Sequence, residues 1–212
     1  MTNIPGKNEL DAVLVERHSE EICLRLQRAT VAVMGLGGLG SSVAVALVRI
    51  GVGKLLLADY DAVELSNLNR QYYFLDQLGL PKTEALQQNL ARINPYLRID
   101  LINRRLTEEM IPELFSDADV VVECFDDPIM KAAGLRAVLT AMPGVGYVGA
   151  SGVAGYGENN IIQTRKIQDH IYLVGDFESA AEDGISLMAP RVGIAAHHQA
   201  NQVLRILLGV DT

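Results

Sequence analysis

Residues 31–40 read VAVMGLGGLG, and this stretch decides the fold that the sequence predicts. A short apolar run leads into Gly35, Gly37 and Gly40, which are spaced G-x-G-x-x-G. In such a motif the first glycine allows a tight turn, the second lets the backbone approach a phosphate, and the third lets the new helix pack closely on the sheet. The phosphate then lies at the helix N-terminus, where free N–H groups and the helix dipole favour negative charge.

A second apolar run, residues 55–58, ends in Asp59. An acid about 20 residues beyond the glycines is placed to bind ribose hydroxyls. The alternative is an acid that only forms the turn after a strand. The order of strand, glycines, helix, strand and acid predicts a nucleotide site, without saying which nucleotide it binds.

The composition limits the classes of protein to consider. A chain of 212 residues fits one domain, taken as residues 1–212, and 49% hydrophobic residues allow a sizeable core. The net charge of −8 and scattered basic residues argue against nucleic acid as a partner. The sequence shows no apolar signal core and no run long enough to span a membrane, so we expect a cytoplasmic protein.

Apolar patterning predicts an α/β fold with a doubly wound, mostly parallel, Rossmann-like sheet. An amphipathic helix is expected over residues 8–28, and strand, helix and strand over 30–34, 39–50 and 54–58. After a short turn near 66–70, further helices are expected at 81–94, 107–115 and 128–141, and strands at 97–102, 118–125 and 145–150. A C-terminal extension adds antiparallel strands at 160–165 and 171–174 and a helix at 190–208.

Several polar residues are expected near the carboxyl ends of these strands, where ligands of open α/β sheets bind. Asn67 and Arg70 are three residues apart, so one helical turn would point both side chains the same way. Lys82 falls in the first turn of a helix, where the dipole disfavours a cation. Either an anionic ligand lies near that helix start, or Lys82 bends away into solvent.

Two adjacent acids follow the strand at 118–125. Asp127 precedes Pro128 and is well suited to cap the next helix. Asp126 is then free to hold Mg²⁺, although a surface loop acid is the more ordinary interpretation of this residue taken alone. Cys124 is expected to pack inside its strand, and it could act as a nucleophile only at an open strand end.

These residues together resemble the ThiF/MoeB/HesA family, the bacterial relatives of ubiquitin-activating enzymes. The resemblance runs from GLGGLG through DYDAVELSNLNRQYYF and GLPKTEALQQNLARINP to ECFDDP, and resumes at LMAPRVG. It covers most of the chain, and the length, the SGVAGYG stretch and GDFES are most similar to a short ThiF type.

The resemblance implies a reaction and a set of site residues. Such an enzyme uses ATP and Mg²⁺ to adenylate the C-terminal glycine of a ubiquitin-like sulfur carrier, here a ThiS-like protein of thiamine biosynthesis, and it releases pyrophosphate. Gly38 would approach the phosphates, with Gly35 and Gly37 beside it, and Asp59 would bind the ribose. Asn67, Arg70 and Lys82 would hold the triphosphate, and Asp126 the magnesium. Ser66 and Asp127 would belong to the same ATP-binding set. The glycines of residues 149–157 would suit passage of an extended Gly-Gly tail, or form an ordinary tight turn.

Three departures from the family pattern qualify this resemblance. The chain has two cysteines and no C-x-x-C pair, so no zinc is expected. Glu182 stands where some ThiF proteins carry a cysteine that links to the carrier. Relatives donate an N-terminal arginine to the neighbouring subunit; Arg17 is the nearest candidate, with Arg25 and Arg28 as substitutes, and this implies a homodimer.

Other readings stay open at this point. The glycine loop and Asp59 would also suit an NAD-binding oxidoreductase. A non-catalytic scaffold that docks a ubiquitin-like partner is a second alternative, and the same chemistry on a MoaD-like carrier is a third.

Overall fold

The computed structural model describes residues 4–182 and 184–210, and it confirms the predicted α/β fold class. Its centre is a seven-stranded sheet with the order β3-β2-β1-β4-β5-β7-β6. The strands are β1 Thr30–Met34, β2 Lys54–Asp59, β3 Arg98–Asn103, β4 Val120–Glu123, β5 Gly146–Ala150, β6 Gln163–Gln168 and β7 Ile171–Gly175.

All described strands of the sheet run parallel except β6, which pairs antiparallel with β7. Because β1 lies between β2 and β4, the chain changes direction across the sheet at β1. Open α/β sheets bind ligands at such a switch point, outside the carboxyl ends of the strands.

Helices cover the sheet and connect its strands. They are α1 Lys7–His18, α2 Glu20–Arg28, α3 Gly38–Arg49, α4 Lys82–Ala91, α5 Met110–Leu114, α6 Pro128–Ala141 and α7 Ala189–Leu207. Helices α3 and α7 pack against each other in one apolar core, and a second core contains α5 and α6 residues. Strands β1 and β4 are almost wholly buried, as their continuous apolar sequences predict.

The helix predicted over residues 8–28 is wrong as a single helix. Ser19 separates α1 from α2 with a φ of 79°, and its hydroxyl accepts a hydrogen bond from the Ile22 N–H at 3.5 Å. Ser19 therefore acts as the N-cap of α2, because its side chain competes with continuation of the first helix.

The predicted C-terminal extension is present with shifted boundaries. Residues 159–161 form a short 3₁₀ turn, so the first strand begins at Gln163 rather than near residue 160. None of the helices in the described ranges combines the length and apolar character that a bilayer crossing requires.

Candidate active site

A cavity of about 590 Å³ lies over the carboxyl ends of the central strands. Its lining includes the segments that follow β1, β2, β3, β4 and β5, and several of the predicted site residues converge there. The lining includes Gly35, Gly37, Gly38, Asp59, Arg70, Lys82, Asp126 and Asp127. Residues from positions 35 to 127 of the sequence thus surround one space.

Two glycines of the motif are required by the packing of the protein itself. Gly35 has a φ of +86°, and a Cβ atom there would lie 2.9 Å from the carbonyl oxygen of Cys124 on the neighbouring strand. A Cβ at Gly40 would collide with the carbonyl oxygen of Gly35. These glycines allow the tight turn and bring α3 close to the sheet, as the motif predicts.

Gly37 differs from these two glycines. A Cβ at Gly37 would meet only Gln71 Nε2, at 3.7 Å, within the described protein. Packing does not require glycine there, whereas close approach of a ligand to the backbone would. Gly38, the first residue of α3, is instead closely covered by Val192 and Arg70.

Asp59 ends β2 and supports the glycine loop directly. One carboxylate oxygen accepts a hydrogen bond from the Leu36 N–H at 2.6 Å, and the other accepts from the Asp61 N–H at 2.8 Å. A carboxylate oxygen can accept more than one hydrogen bond, so both oxygens keep capacity for ribose hydroxyls. Asp59 therefore shapes the loop and lines the cavity at the same time.

Lys82 has an anionic partner within the protein. Its Nζ lies 2.7 Å from Asp61 Oδ2, and its side chain is 7% exposed whereas that of Asp61 is 47% exposed. The unfavourable position of a cation in the first turn of α4 is offset by this carboxylate. The second sequence reading, a lysine bent away into solvent, does not describe this buried side chain.

Arg70 lines the cavity, but Asn67 and Ser66 are not among the lining residues. Arg70 donates to the carbonyl oxygen of Ser66 at 3.2 Å and to Asn69 Oδ1 at 2.8 Å, with no carboxylate partner in the described part of the chain. The Asn67 side chain accepts from the Glu64 N–H at 3.0 Å and closes its own turn. The structure thus places Arg70 in the cavity and gives Asn67 a local role.

Asp126 and Asp127 divide as the helix start predicts. Asp127 Oδ1 accepts a hydrogen bond from the Ile129 N–H at 2.8 Å and caps α6. Asp126 is exposed and lines the cavity. Across residues 4–182 and 184–210, no group of three His, Cys, Asp or Glu side chains is arranged to hold a metal ion.

Sequence reasoning missed a charged pair beneath the same loop. Glu123, at the end of β4, is 1% exposed, and Lys131 of α6 lies 3.0 Å from its Oε1. The same carboxylate oxygen accepts from the Phe125 N–H at 2.7 Å, one residue before Asp126. Burial raises the pKa of Glu123, and the positive charge of Lys131 opposes that rise.

Two arginines at the carboxyl end of β3 were also missed as cavity residues. Arg104 and Arg105 line the cavity, and the guanidinium of Arg105 lies 5.6 Å from the centre of the Tyr60 ring. Their position directly after a predicted strand was the available signal.

A buried ion pair lies next to the cavity-lining residues Ser179 and Val192. Arg191 and Asp176 are 2.5 Å apart, with side chains 4% and 6% exposed. Burial alone would raise the pKa of Asp176, but hydrogen bonds from the Ser179 and Glu178 N–H groups and from Arg191 lower it to about 2. A Cβ at Gly152 would collide with this carboxylate, so the glycine-rich stretch is folded closely around it.

Arg17 is not among the cavity residues of its own chain. It is exposed in the last turn of α1, and Leu14 of that helix lies against Gly51. Gly51 precedes β2, so α1 packs near the amino ends of the strands, opposite the cavity. Arg25, its first substitute, donates to the carbonyl oxygen of Leu208 at 2.9 Å, and Arg28 lines a separate cavity.

Cys124 is buried in its strand, although it contributes to the cavity lining. Burial, followed by the nearby charge of Glu123, raises the pKa of its thiol. Since the thiolate is the nucleophilic form of cysteine, Cys124 is poorly suited to nucleophilic chemistry.

The chain belongs to the ThiF family, whose family model matches residues 11–212. It is 32% identical over 193 residues to the sulfur carrier protein ThiS adenylyltransferase of Escherichia coli, covering 89% of this chain and 76% of that relative. It is 40% identical over 104 residues to the molybdopterin-synthase adenylyltransferase of Haemophilus influenzae, covering 49% of this chain and 43% of that protein.

The fold is shared with solved structures at lower sequence identity. One is the E. coli tRNA N6-threonylcarbamoyladenosine dehydratase TcdA in complex with ATP, with a TM-score of 0.86 and 20% identity over 98% of both chains. This similarity establishes the fold along the described chain. The family membership and the fold that the sequence predicted are both confirmed.

Proposed function

We propose that this protein is an adenylyltransferase that uses ATP to activate the C-terminal carboxylate of a ubiquitin-like sulfur carrier, releasing pyrophosphate. The observation that carries the proposal is the convergence of Asp59, Arg70, Lys82 and Asp126 on one cavity beside the glycine loop. Names of the relatives support the same reaction class, since two of them are adenylyltransferases.

The described side chains can act by position and charge. The N–H groups at the start of α3 and the cations Arg70 and Lys82 would hold the triphosphate, and Asp59 would hold the ribose. The attacking group is the carboxylate of the carrier, so the enzyme needs no nucleophile of its own. Fixed donors that neutralise the charge developing on phosphate oxygens then accelerate the transfer.

Asp126 is the proposed ligand for Mg²⁺. Its carboxylate is exposed to the cavity, and Asp127 is already used as a helix cap. Mg²⁺ in nucleotide sites commonly takes one or two carboxylates together with phosphate oxygens and waters, so a single acid fits this role. When bound, the ion would neutralise phosphate charge.

A ThiS-like carrier is proposed as the acceptor because the ThiS adenylyltransferase is matched over most of its length. The chain spans less than half of the molybdopterin-synthase enzyme, so a MoaD-like carrier is the second candidate. A homodimer is part of the proposal, since Arg17 lies away from the cavity of its own chain and could reach one only across an interface.

Pyrophosphate–ATP exchange tests this function. ThiS-like and MoaD-like carriers are each compared with a version that lacks the terminal glycine. We expect exchange that needs the glycine and is lost in Arg70→Ala and Lys82→Ala. Exchange with neither carrier would overturn the proposal.

The same preparation tests the alternatives. Tight NADH binding without protection by ATP would favour an oxidoreductase. Carrier binding without exchange would favour a scaffold. A transfer RNA arm is included because TcdA shares the fold over 98% of both chains, although a net charge of −8 disfavours such a partner.

A further inference from the structure

Lys131 lines the cavity but has no part in the roles proposed above. Its ammonium donates to Glu123 Oε1 at 3.0 Å and to the carbonyl oxygen of Ala150 at 2.9 Å. An ammonium has three N–H donors, so these two contacts leave one. The side chain as a whole is 27% exposed and lines the cavity, so the third donor can serve a ligand that binds there.

Lys131 is on the opposite flank of the cavity from Asp59 and Lys82. Ala150 ends β5, whereas Asp59 ends β2, and β1 and β4 lie between these strands. Three strand spacings separate the two flanks by roughly 14 Å. A nucleotide held at Asp59 and the glycine loop would therefore leave Lys131 beside the space next to its phosphates, where residues 150–154 also line the cavity.

Adenylation must bring two anions together, the carboxylate of the acceptor and the triphosphate. Arg70 and Lys82 are placed for the triphosphate, and the acceptor needs a cation of its own. We propose that Lys131 binds the C-terminal carboxylate of the acceptor protein and presents it to the α-phosphorus of ATP. This inference rests on the proposed function and assigns the acceptor subsite within it.

The step that Lys131 supports is balanced without another reactant. A carboxylate oxygen forms a bond to the α-phosphorus while the bond from that phosphorus to the bridging oxygen breaks. Pyrophosphate leaves with the electron pair of the broken bond. No proton moves, and nothing is oxidised or reduced.

A purely structural role is the competing explanation, since Lys131 also neutralises Glu123. The glycine at position 149 leaves space for that carboxylate, because a Cβ atom there would lie 3.1 Å from Glu123 Oε2. If neutralisation were the whole role, removing both charges together would restore activity. If Lys131 binds the acceptor, the double variant would stay impaired.

The first experiment measures binding of the carrier that supports exchange, once with its natural C-terminal carboxylate and once as the semisynthetic C-terminal carboxamide. We expect the wild-type protein to prefer the carboxylate by about 10- to 100-fold, as for one charge-assisted hydrogen bond. Lys131→Met should abolish this preference and leave the Kd for ATP unchanged. Lys54→Met is the matched control: Lys54 is 23% exposed and 2.7 Å from Asp100, at the other end of the sheet.

The second experiment compares pyrophosphate exchange in Lys131→Met, Glu123→Gln and the double variant, with thermal melting to check folding. The expected results are a raised KM for the carrier in both proteins that lack Lys131, and partial rescue by Lys131→Arg. A retained carboxylate preference in Lys131→Met, or full recovery in the double variant, overturns the inference while leaving the proposed function intact. Absence of exchange in the wild-type protein with every carrier overturns both.

Discussion

The two flanks of the cavity hold their cations in opposite ways. On the β2 flank the cation is buried and the acid is open, with Lys82 7% and Asp61 47% exposed. On the β5 flank the acid is buried and the cation is more open, with Glu123 1% and Lys131 27% exposed. Because Asp61 is exposed, we expect an anionic ligand to take its place beside Lys82. Lys131 stays paired with the buried Glu123 and offers the ligand its remaining N–H donor.

A third pair marks the limit of this comparison. Arg191 and Asp176 are both buried, so neither charge is available to a ligand. This pair joins the start of α7 to the segment that follows β7 and stabilises the wall. The Lys82–Asp61 and Lys131–Glu123 pairs, each with one more exposed partner, are thus suited to binding a ligand. The fully buried Arg191–Asp176 pair instead supports the fold.

The largest effect is expected for Arg191→Leu. It leaves the buried Asp176 without its partner, which costs about 3–5 kcal/mol of unfolding free energy. Urea denaturation measures the loss. Arg136→Leu is the control, since Arg136 forms an exposed pair with Glu108 and should cost at most about 1 kcal/mol. Equal losses of unfolding free energy in the two variants would contradict the distinction between buried and exposed ion pairs.

Lys82→Met should reduce pyrophosphate exchange by about 10²- to 10³-fold, the range typical of removing one group that stabilises a developing anion. Lys54→Met should leave the rate unchanged, because its ion pair with Asp100 lies at the amino end of β2. Steady-state exchange assays on both variants decide the point. A comparable rate loss in the two would mean that general charge, rather than position, matters.

Lowering the pH should weaken the buried Arg191–Asp176 ion pair within a defined range. The pKa of Asp176 is lowered from an ordinary value of 3.8 to about 2. A carboxyl with a lowered pKa stabilises the fold above its unfolded value, and that contribution, about 2 kcal/mol, is lost as the pH falls from about 4 to 2. The free energies of unfolding of the wild type and of Asp176→Asn should be measured across this pH range. We expect the difference between them to shrink as the pH falls. A difference in unfolding free energy that does not change with pH would argue against ionisation of Asp176 as its cause.

The adjacent acids before α6 should separate stability from activity. Asp127→Ala removes a helix cap and should cost about 1 kcal/mol of unfolding free energy. Asp126→Ala should leave stability nearly unchanged and abolish magnesium-dependent exchange. Denaturation and exchange assays on both proteins are needed. Unchanged exchange in Asp126→Ala would remove it as the metal ligand.

The parts of the site that follow local chain patterns could be predicted from the sequence. Gly35 and Gly40 are fixed by contacts within one turn and its neighbouring strand, and Asp59 by its place at a strand end. The break at Ser19 also had a local signal, a serine followed by two glutamates at a helix start.

Ion pairs between residues far apart in the sequence could not be predicted from such local patterns. The position of Lys82 predicts either an anionic ligand or a solvated lysine, whereas its carboxylate partner is Asp61, 21 residues earlier in the chain. Arg191 and Asp176 likewise meet only because the start of α7 lies beside the end of β7. Charges carry no periodicity, so their partners become visible only once the strand order is known.

The first helix shows how unevenly stability is distributed. No residue of α1 is buried, and a 12-residue helix is marginal by itself in water. Its backbone amides should exchange with deuterium within seconds to minutes, long before those of α3, which exchange only on global opening. A mass-spectrometric exchange profile would test this. Removal of α1 would then cost the remaining domain little, so this segment can be exchanged or redesigned without rebuilding the core.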